Sequence, residues 1–367
     1  MPKRSRRFLI GILTVMAISP AARGDYLDPS AFASLGKLDL TSGDYTIETN
    51  GAPILRDAAN NIVFVGTTYF QGGSFGETVS VFDFSSINIG AGVHIRAFGS
   101  NALALLSRSG IVLAGELDAS GYAGADSSRF GGDGQGGAGG PGAGRGGHGG
   151  GFPGETGEGP GGGPGGPGGI GGVQGGGGGF GGKGGDSAFG TFGAPYGNLN
   201  DFLQGGSGGG GTGASAFEAV GAGGGGGGGA IELGAIDSII FAGGSLIADG
   251  GGVGSAFAAN AGGGSGGGLL IHASTIDVEG KSLIAARGGA YFGGGGRILF
   301  LTDTATINQT GGNLAVGEGG GANNQEPGVI EYGFLQSAVV PEPASLVLVA
   351  IGGLGAALVT RARRRVS

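Results

Sequence analysis

The amino-acid sequence predicts an all-β protein whose body is a right-handed parallel β-helix, a solenoid of stacked repeats. Near-copies of one unit recur along the chain, apolar and polar residues alternate inside each copy, and glycine runs separate the copies. Alternation with period two is typical of strands with one buried face. One such unit cannot bury its apolar face alone, but stacked units bury a continuous core. An antiparallel β-sandwich is the competing fold, although it would not need near-copies of one unit.

The first 24 residues have the layout of a secretory signal peptide. A basic segment precedes an apolar run at 8–18, and Pro20 ends the run. The apolar run is too short for a stable anchor. Small residues then define a cleavage site, formed by Ala22, Gly24 and Asp25. We expect the Sec translocon to export the chain and signal peptidase to cut it after Gly24.

Two zones, residues 25–125 and 230–335, carry the repeated unit. The clearest copies cover residues 109–121, 237–251, 274–289 and 305–320, and a weaker copy covers 81–99. A short strand-like segment precedes each of the last three clear copies, at 230–235, 269–274 and 297–302. Each copy therefore offers three short strands, with glycine at the turns because glycine accepts a positive φ without steric cost.

Alternation assigns the side chains of these strands to two faces. Ile231 and Leu233 share one face, and Glu232 points to the other; Ile276 lies in the same way opposite Asp277. We expect the aliphatic and aromatic side chains to fill the interior of the solenoid. The acids and hydroxyl side chains, Glu232 included, are expected on its outer surface.

Residues 126–229 form a glycine-rich, low-complexity insertion between the two zones. Residues 131–185 contain almost no aliphatic side chain, so apolar burial cannot offset the entropy of ordering, and a flexible insertion is the first interpretation. The alternative is a bundle of polyproline-II segments, in which glycine permits close backbone packing. A small apolar patch is expected to dock the end of the insertion onto the solenoid, and it consists of Phe180, Phe189, Phe192, Tyr196, Phe202 and Leu203.

The C-terminal segment, residues 336–367, combines a Pro-bounded motif, an apolar run and a basic cluster. Residues 344–360 carry no charge, and a helix of this length spans about 25 Å, near the lower limit for crossing a bilayer. The motif consists of Val340, Pro341, Glu342 and Pro343, and the basic cluster consists of Arg361, Arg363, Arg364 and Arg365. We expect a single transmembrane helix whose arginines stop transfer on the cytoplasmic side. A buried helix of a soluble domain is the alternative, but it gives the arginines no role.

This tail resembles the PEP-CTERM sorting signal of Gram-negative bacteria, a module also named the ice-binding protein C-terminal domain. The resemblance covers only the last 28 residues, where motif, helix and arginines occur in the family's order. It implies that an exosortase, a membrane enzyme similar to cysteine transpeptidases, cuts an inner-membrane intermediate near residues 340–343. Release or transfer to the cell surface would follow, often in species that make exopolysaccharide. The glycine-rich repeats in turn resemble bacterial surface proteins and adhesins of the β-helix type.

The charge and cysteine content narrow the classes of function. The two ends hold nine of the 19 basic residues and one of the 27 acidic residues, which leaves 10 and 26, a net charge of −16, for residues 25–340. Such a polyanion repels nucleic acid. The chain contains no cysteine, so disulfides, thiolate zinc sites and cysteine nucleophiles are excluded.

The remaining residue patterns give little support for a catalytic or metal-binding site. A glycosidase or polysaccharide lyase would need two carboxyl groups about 5–9 Å apart, and the candidates are Glu232, Asp237, Asp277, Glu279 and Asp303. Outward acids of a solenoid are more often a solvated face, so no catalytic residue is assigned. The histidines, His94, His148 and His272, lie far apart in the sequence and are expected at the surface without a metal. Residues 181–189 are similar to one calcium-binding β-roll repeat, which works only in tandem copies.

The sequence thus predicts an exported, non-enzymatic protein with a structural or adhesive role at the cell surface or in the exopolysaccharide matrix. The expected partners are the export machinery, an exosortase and exopolysaccharide, and no cofactor is expected. Two alternatives stay open. One is a carbohydrate-active β-helix enzyme, and the other is an ice-binding or other surface-binding module.

Overall fold

The computed structural model describes residues 26–335, except residues 73–76, 128–131, 151–152, 169–173, 188–189, 215–219, 257–258 and 322–323. The predicted signal peptide with its cleavage site, and the whole C-terminal segment 336–367, lie outside the described residues. Within the described residues the regular structure is all β apart from one turn of 3₁₀ helix at Pro29–Ala31. The predicted fold class is therefore confirmed at the level of an all-β protein.

The strands of the N-terminal zone are β1 (Lys37–Glu48), β2 (Ile54–Asp57), β3 (Ile62–Val65), β4 (Thr67–Gly72), β5 (Glu77–Phe84), β6 (Ser86–Phe98), β7 (Ala102–Ser107), β8 (Ile111–Leu113) and β9 (Glu116–Asp118). Those of the C-terminal zone are β10 (Ala230–Ala235), β11 (Ser238–Ala242), β12 (Ser245–Ile247), β13 (Ser255–Ala256), β14 (Ala259–Asn260), β15 (Gly268–His272), β16 (Thr275–Glu279), β17 (Leu283–Ala285), β18 (Arg297–Thr302), β19 (Asn308–Gln309), β20 (Asn313–Ala315) and β21 (Val329–Phe334).

The repeats build two large sheets that are mostly parallel. The first strand of each repeat enters a seven-stranded sheet of order β21-β18-β15-β10-β7-β5-β4. The second and third strands enter a twelve-stranded sheet, which contains the path β19-β16-β11-β8-β6-β9-β12-β17-β20. Equivalent residues pair in register, as Ile231 does with Leu103 on one side and with Leu269 on the other. Parallel pairing between the copies is incompatible with the antiparallel sandwich.

The start of the N-terminal zone departs from the predicted repeats. β1 runs parallel to β6, but β2 and β3 continue from it as antiparallel strands, and β4 pairs antiparallel with β5. The β2–β3 turn has a local cause: Asp57 accepts hydrogen bonds from the backbone of Ala59 and Asn61, and Asn60 adopts a φ of 65°. Asparagine tolerates this left-handed conformation. Antiparallel hairpins, not further repeats, therefore end both sheets on this side.

The inner core lies between the two sheets and follows the predicted alternation. Ile231, Leu233, Ile276 and Val278 are all at most 1% exposed and belong to one apolar cluster that extends from β1 to β18. Asp277, between two of them, is half-buried on the outer face. Alternation therefore identified the inward-facing residues of these strands correctly.

The outer face of the seven-stranded sheet is also buried at its central strands, whereas the alternation of residues predicts a solvated face there. β7, β10 and β15 are buried along their whole length. A second apolar cluster covers this face with residues from the N-terminal segment and the end of the glycine zone, namely Leu27, Phe180, Leu199 and Leu203. Of the predicted docking patch, Phe180, Tyr196 and Leu203 take part, Phe202 is half-buried, Phe192 is exposed, and Phe189 lies outside the described residues.

The glycine zone is packed backbone wherever it is described. The amides of Gly134, Gly137 and Gly140 donate to the carbonyls of residues 221, 224 and 227, so hydrogen bonds recur at every third residue. A period of three is that of a polyproline-II helix. The interpretation as a flexible insertion is therefore wrong for these segments, because backbone hydrogen bonds, not apolar side chains, order them. The packed-segment alternative describes them correctly.

The most glycine-rich runs lie at the centre of this packing. Residues 221–229 are hydrogen-bonded to six other segments, at 119–125, 134–140, 144–147, 206–212, 251–254 and 262–265. A methyl group added at Gly225, Gly226 or Gly227 would overlap the carbonyl of Gly251, Ala138 or Gly206, respectively. Three consecutive positions thus face three different neighbours. A segment with neighbours on every side can therefore contain almost nothing but glycine.

Candidate functional site

Of the five acids predicted as catalytic candidates, Asp303 lines a cavity and Glu232 is buried beside it, whereas the other three do not line that cavity. Asp237, Glu279 and Asp303 are exposed, and Asp277 is half-buried on the outer face of β16. The backbone of Asp237 bonds Thr275, and the backbone of Asp303 bonds Ser274. The two acids therefore lie at the same end of the stacked strands, two strands apart, roughly 10 Å at the usual strand spacing.

Acids on the outer face of the twelve-stranded sheet are paired with neighbouring polar side chains. Asn88 donates to Asp39 at 2.8 Å, and Asn308 donates to Asp277 at 2.7 Å. The bond from Asn88, followed by the bond and charge of Lys37, lowers the pKa of Asp39. A general acid needs a raised pKa, so the lowered pKa of Asp39 does not favour that role for this residue.

Asp83, at the outer face of β5, has a raised pKa, in contrast to Asp39. Its side chain is 1% exposed, and burial raises its pKa although Arg108 Nε lies 3.0 Å from Oδ2 and opposes the shift. Oδ1 is buried without a hydrogen-bond partner. No second carboxylate is bonded to Asp83 in the described chain, so this acid is a buried structural charge.

A buried polar contact joins Glu232 on β10 to His272 on β15. Both side chains are at most 2% exposed, and His272 Nε2 lies 2.8 Å from Glu232 Oε1. The same oxygen accepts the amide of Leu27 at 2.6 Å, and the ring of Tyr26 packs 4.5 Å from the imidazole. The N-terminal segment therefore seals this pair from solvent.

The positions of Glu232 and His272 differ from two expectations based on the sequence. Glu232 does point away from the inner core, as alternation required, but that outer face is covered and not solvated. His272 is buried, not a surface histidine. A sequence signal existed in Gly234, because a glycine within a strand marks a close approach. A side chain at Gly234 would overlap the imidazole of His272.

A cavity of about 240 Å³ opens beside this pair. Its lining residues come from the N-terminal segment and from the ends of the strands of the seven-stranded sheet, and they are Tyr26, Asp28, Pro29, Ala235, Ile236, His272, Asp303 and Leu335. The lining carries two carboxylates and no lysine or arginine. The first and last residues of the described body thus meet at one acidic cavity.

The remaining candidate sites have ordinary partners. In the segment similar to a calcium repeat, Asp186 Oδ1 lies 3.5 Å from Lys183 Nζ, and Oδ2 accepts from Asn324. His94 is exposed 3.8 Å from Glu116, and His148 Nδ1 accepts the amide of Gly136. Over the described ranges, no three His, Asp or Glu side chains are grouped as metal ligands.

The C-terminal segment that contains the sorting residues matches a known protein family. Residues 339–365 match the family model of the PEP-CTERM protein-sorting motif. This match includes the predicted motif at 340–343 and the arginines at 361–365, and it confirms the resemblance. The motif implies that an exosortase, a membrane enzyme, processes the chain for export to the cell surface.

No curated protein and no solved structure matches the chain. Within residues 26–335 as described, no helix is long and apolar enough to span a bilayer. The predicted transmembrane helix at 344–360 lies outside the described residues. The signal-cleavage residues and the four C-terminal arginines likewise have no described structure and stay predictions at the level of sequence.

Proposed function

We propose that this exosortase-sorted protein is a non-catalytic scaffold of the cell surface, built as a right-handed parallel β-helix and adhesive toward matrix polysaccharide. The carrying observation is the in-register parallel stacking of equivalent strands from β7 to β18. Stacking of this kind yields a stiff rod with long flat faces. Interlocked glycine segments brace the rod along one side.

The adhesive face in this proposal is the outer surface of the twelve-stranded sheet. Two amide–carboxylate pairs, Asn88 with Asp39 and Asn308 with Asp277, lie at the two ends of one row of this face, and the strands of Val112 and Ile240 lie between them. Hydroxyl groups of an extended sugar chain can bond both pairs, with the apolar positions between them in contact with a sugar ring. The net charge of −16 for residues 25–340 repels acidic polymers. We therefore expect neutral polysaccharide to bind directly, and acidic polysaccharide to bind only when a divalent cation bridges the charges.

The test measures binding and cleavage together. Purified processed protein is incubated with a neutral glucan, and with an acidic uronan in the presence and absence of Ca²⁺. Sedimentation scores binding, and reducing ends plus unsaturated products score cleavage. Binding without cleavage, weakened by Asn308→Asp and unchanged by Glu318→Gln at an exposed position outside the two pairs, is the expected result. Cleavage of any substrate would favour the carbohydrate-active enzyme, and thermal hysteresis of the solution without sugar binding would favour the ice-binding module.

A further inference from the structure

Exposed apolar side chains are concentrated on strands at the two ends of the stack. Within the described residues, eleven large apolar or aromatic side chains are exposed, and seven of them lie on β3, β4 and β21. These seven are Ile62, Val63, Val65, Tyr69, Phe70, Tyr332 and Phe334. β4 and β21 are the two outer strands of the seven-stranded sheet, and β3 pairs only with β2. Since the terminal units of a solenoid normally carry a polar outer face that keeps the molecule soluble, both ends of this stack depart from the rule.

The inner core is open at the C-terminal end of the stack. Ile330 on β21 pairs with Ile298 on β18, and it is only half-buried where Ile298 is fully buried. The ring of Tyr332 stacks on that of Phe300, with 5.5 Å between the centroids, but Tyr332 is 49% exposed and Phe300 is 1% exposed. Leu314 on β20 packs against the same core and is also half-buried. One further layer of strands would therefore complete the burial of this end.

The strands at both ends lack the residues that protect an exposed sheet edge. An outer strand presents unpaired amide and carbonyl groups, and proteins protect such an edge with charged residues, proline or a covering segment. Residues 62–72, which contain β3 and β4, include no charged residue and no proline. β21 carries one acid, Glu331, and one of its carboxylate oxygens is buried. Both edges are therefore suited to pairing with a further strand.

We propose that these two ends form one interface, in which the β3–β4 end of one copy of the chain stacks on the β19–β21 end of the next copy. β4 and β21 both have six residues, and their pairing continues the seven-stranded sheet from one copy into the next. The strands from β5 to β21 run parallel to one another, whereas β4 runs antiparallel to β5, so the new pair is antiparallel. Phe70 lies opposite Thr78, on the same side of the sheet as Phe82 of the inner core. Phe70 would therefore cover the open core beside Tyr332 and Phe334.

The distribution of charge selects an end-to-end contact between copies. Residues 25–340 carry a net charge of −16, so the flanks of two copies repel each other. The strands of the interface, β3, β4, β19, β20 and β21, contain one charged residue, Glu331. A second copy is the partner because the chain itself supplies both edges of the same sheet, and the contact repeats the stacking that joins its own units. A contact between two different surfaces of identical copies does not close on itself and builds a filament. Such a filament would extend the scaffold beyond one molecule, and it does not depend on the polysaccharide binding proposed above.

The test blocks the two ends separately in the exported, processed protein. Phe70→Lys places a charge on the β4 end, and Phe334→Lys places one on the β21 end. These side chains are 62% and 65% exposed, so each monomer has room for the lysine. The matched control is Ile236→Lys, at an exposed apolar residue between β10 and β11, away from both ends. Sedimentation velocity is measured at several protein concentrations, at low salt and at high salt that screens the repulsion between copies, and thermal melting confirms that each variant is folded.

We expect the wild type and Ile236→Lys to form oligomers larger than dimers, whose size increases with protein concentration and with salt. Each blocked variant alone should lose these oligomers and sediment as a monomer. An equimolar mixture of Phe70→Lys and Phe334→Lys should form dimers and nothing larger, because one free end of each kind remains in the pair. A monomeric wild type would overturn the proposal, and so would dimers of either blocked variant alone, which a contact between like ends would give. No polysaccharide is present in these experiments, so their outcome is separate from that of the adhesion test.

Discussion

Replacement of Gly226 by alanine tests whether the glycine zone is packed backbone. The added Cβ would lie 2.5 Å from the carbonyl carbon of Ala138 and 2.8 Å from the carbonyl oxygen of Gly137, and closer still to the Ala138 oxygen. All three atoms belong to backbone, so no flexible side chain can move away. The neighbouring segment must therefore shift as a whole.

The structure allows an estimate of the cost of that shift. The segment is held by the bonds from Gly137 to Gly224 at 2.8 Å and from Gly140 to Gly227 at 2.9 Å. Loss of two such bonds costs about 1–3 kcal/mol, and overpacking adds about 1–3 kcal/mol. We expect Gly226→Ala to reduce the free energy of unfolding by about 2–6 kcal/mol, measured by urea denaturation of the purified protein.

Gly252→Ala is the matched control, at a glycine of the segment 251–254 that packs against residues 221–229. An added Cβ at Gly252 meets no atom within 4 Å, and its φ lies outside the left-handed region. This substitution should stabilise the protein by about 0.4–1 kcal/mol, because alanine has less conformational freedom in the unfolded chain. A loss below about 1 kcal/mol for Gly226→Ala, or effects of equal sign at both positions, would refute the packed arrangement.

Three further predictions concern the core, the buried acid and the sorting signal. Ile276→Asp places a charge in the inner core and should cost several kcal/mol, whereas Asp277→Ala should cost less than about 1 kcal/mol; comparable losses in denaturation would contradict the alternation. The raised pKa of Asp83 means that the folded state binds the proton more tightly, so stability falls as pH rises from below 3.8 through the raised value. Asp83→Asn should therefore gain stability relative to wild type over that window in denaturation at pH 3 to 7, and a pH-independent difference would count against this reasoning. Alanines at Pro341, Glu342 and Pro343 should retain the protein in the inner membrane, and unchanged release on fractionation would exclude the motif as the recognition element.

The local alternation of apolar and polar residues, together with the repeats, was sufficient to predict the repeated strands and the residues of the inner core. Ile276 and Asp277 fall on opposite faces because successive side chains of a strand alternate, whatever the strand packs against. The copies at 237–251 and 274–289 became β11–β12 and β16–β17, since near-identical units tend to stack. The hairpins β2–β3 and β4–β5 were missed because they are not copies of the repeat.

A candidate site could be predicted from the sequence only where its functional residues are contiguous in the chain. The sorting motif at 340–343 is such a site, because a processing enzyme recognises it as a linear segment. The Glu232–His272 pair and the cavity beside it depend on residues 26–35, which lie about two hundred positions away in sequence. The alternation of residues within β10 and β15 gives no indication that a distant segment covers these strands.

The sequence by itself therefore determined the sorting signal, the all-β repeats and the residues that face the inner core, since each follows from neighbours along the chain. Only the tertiary structure decided that the described glycine runs are packed by backbone hydrogen bonds and that the outer face of the central strands β7, β10 and β15 is buried. In both cases the stabilising contacts are made by backbone or by remote segments. Gly226 and Glu232 illustrate the reason: a glycine and a glutamate have the same local pattern whether they are solvated or enclosed, and only the packed neighbours distinguish the two states.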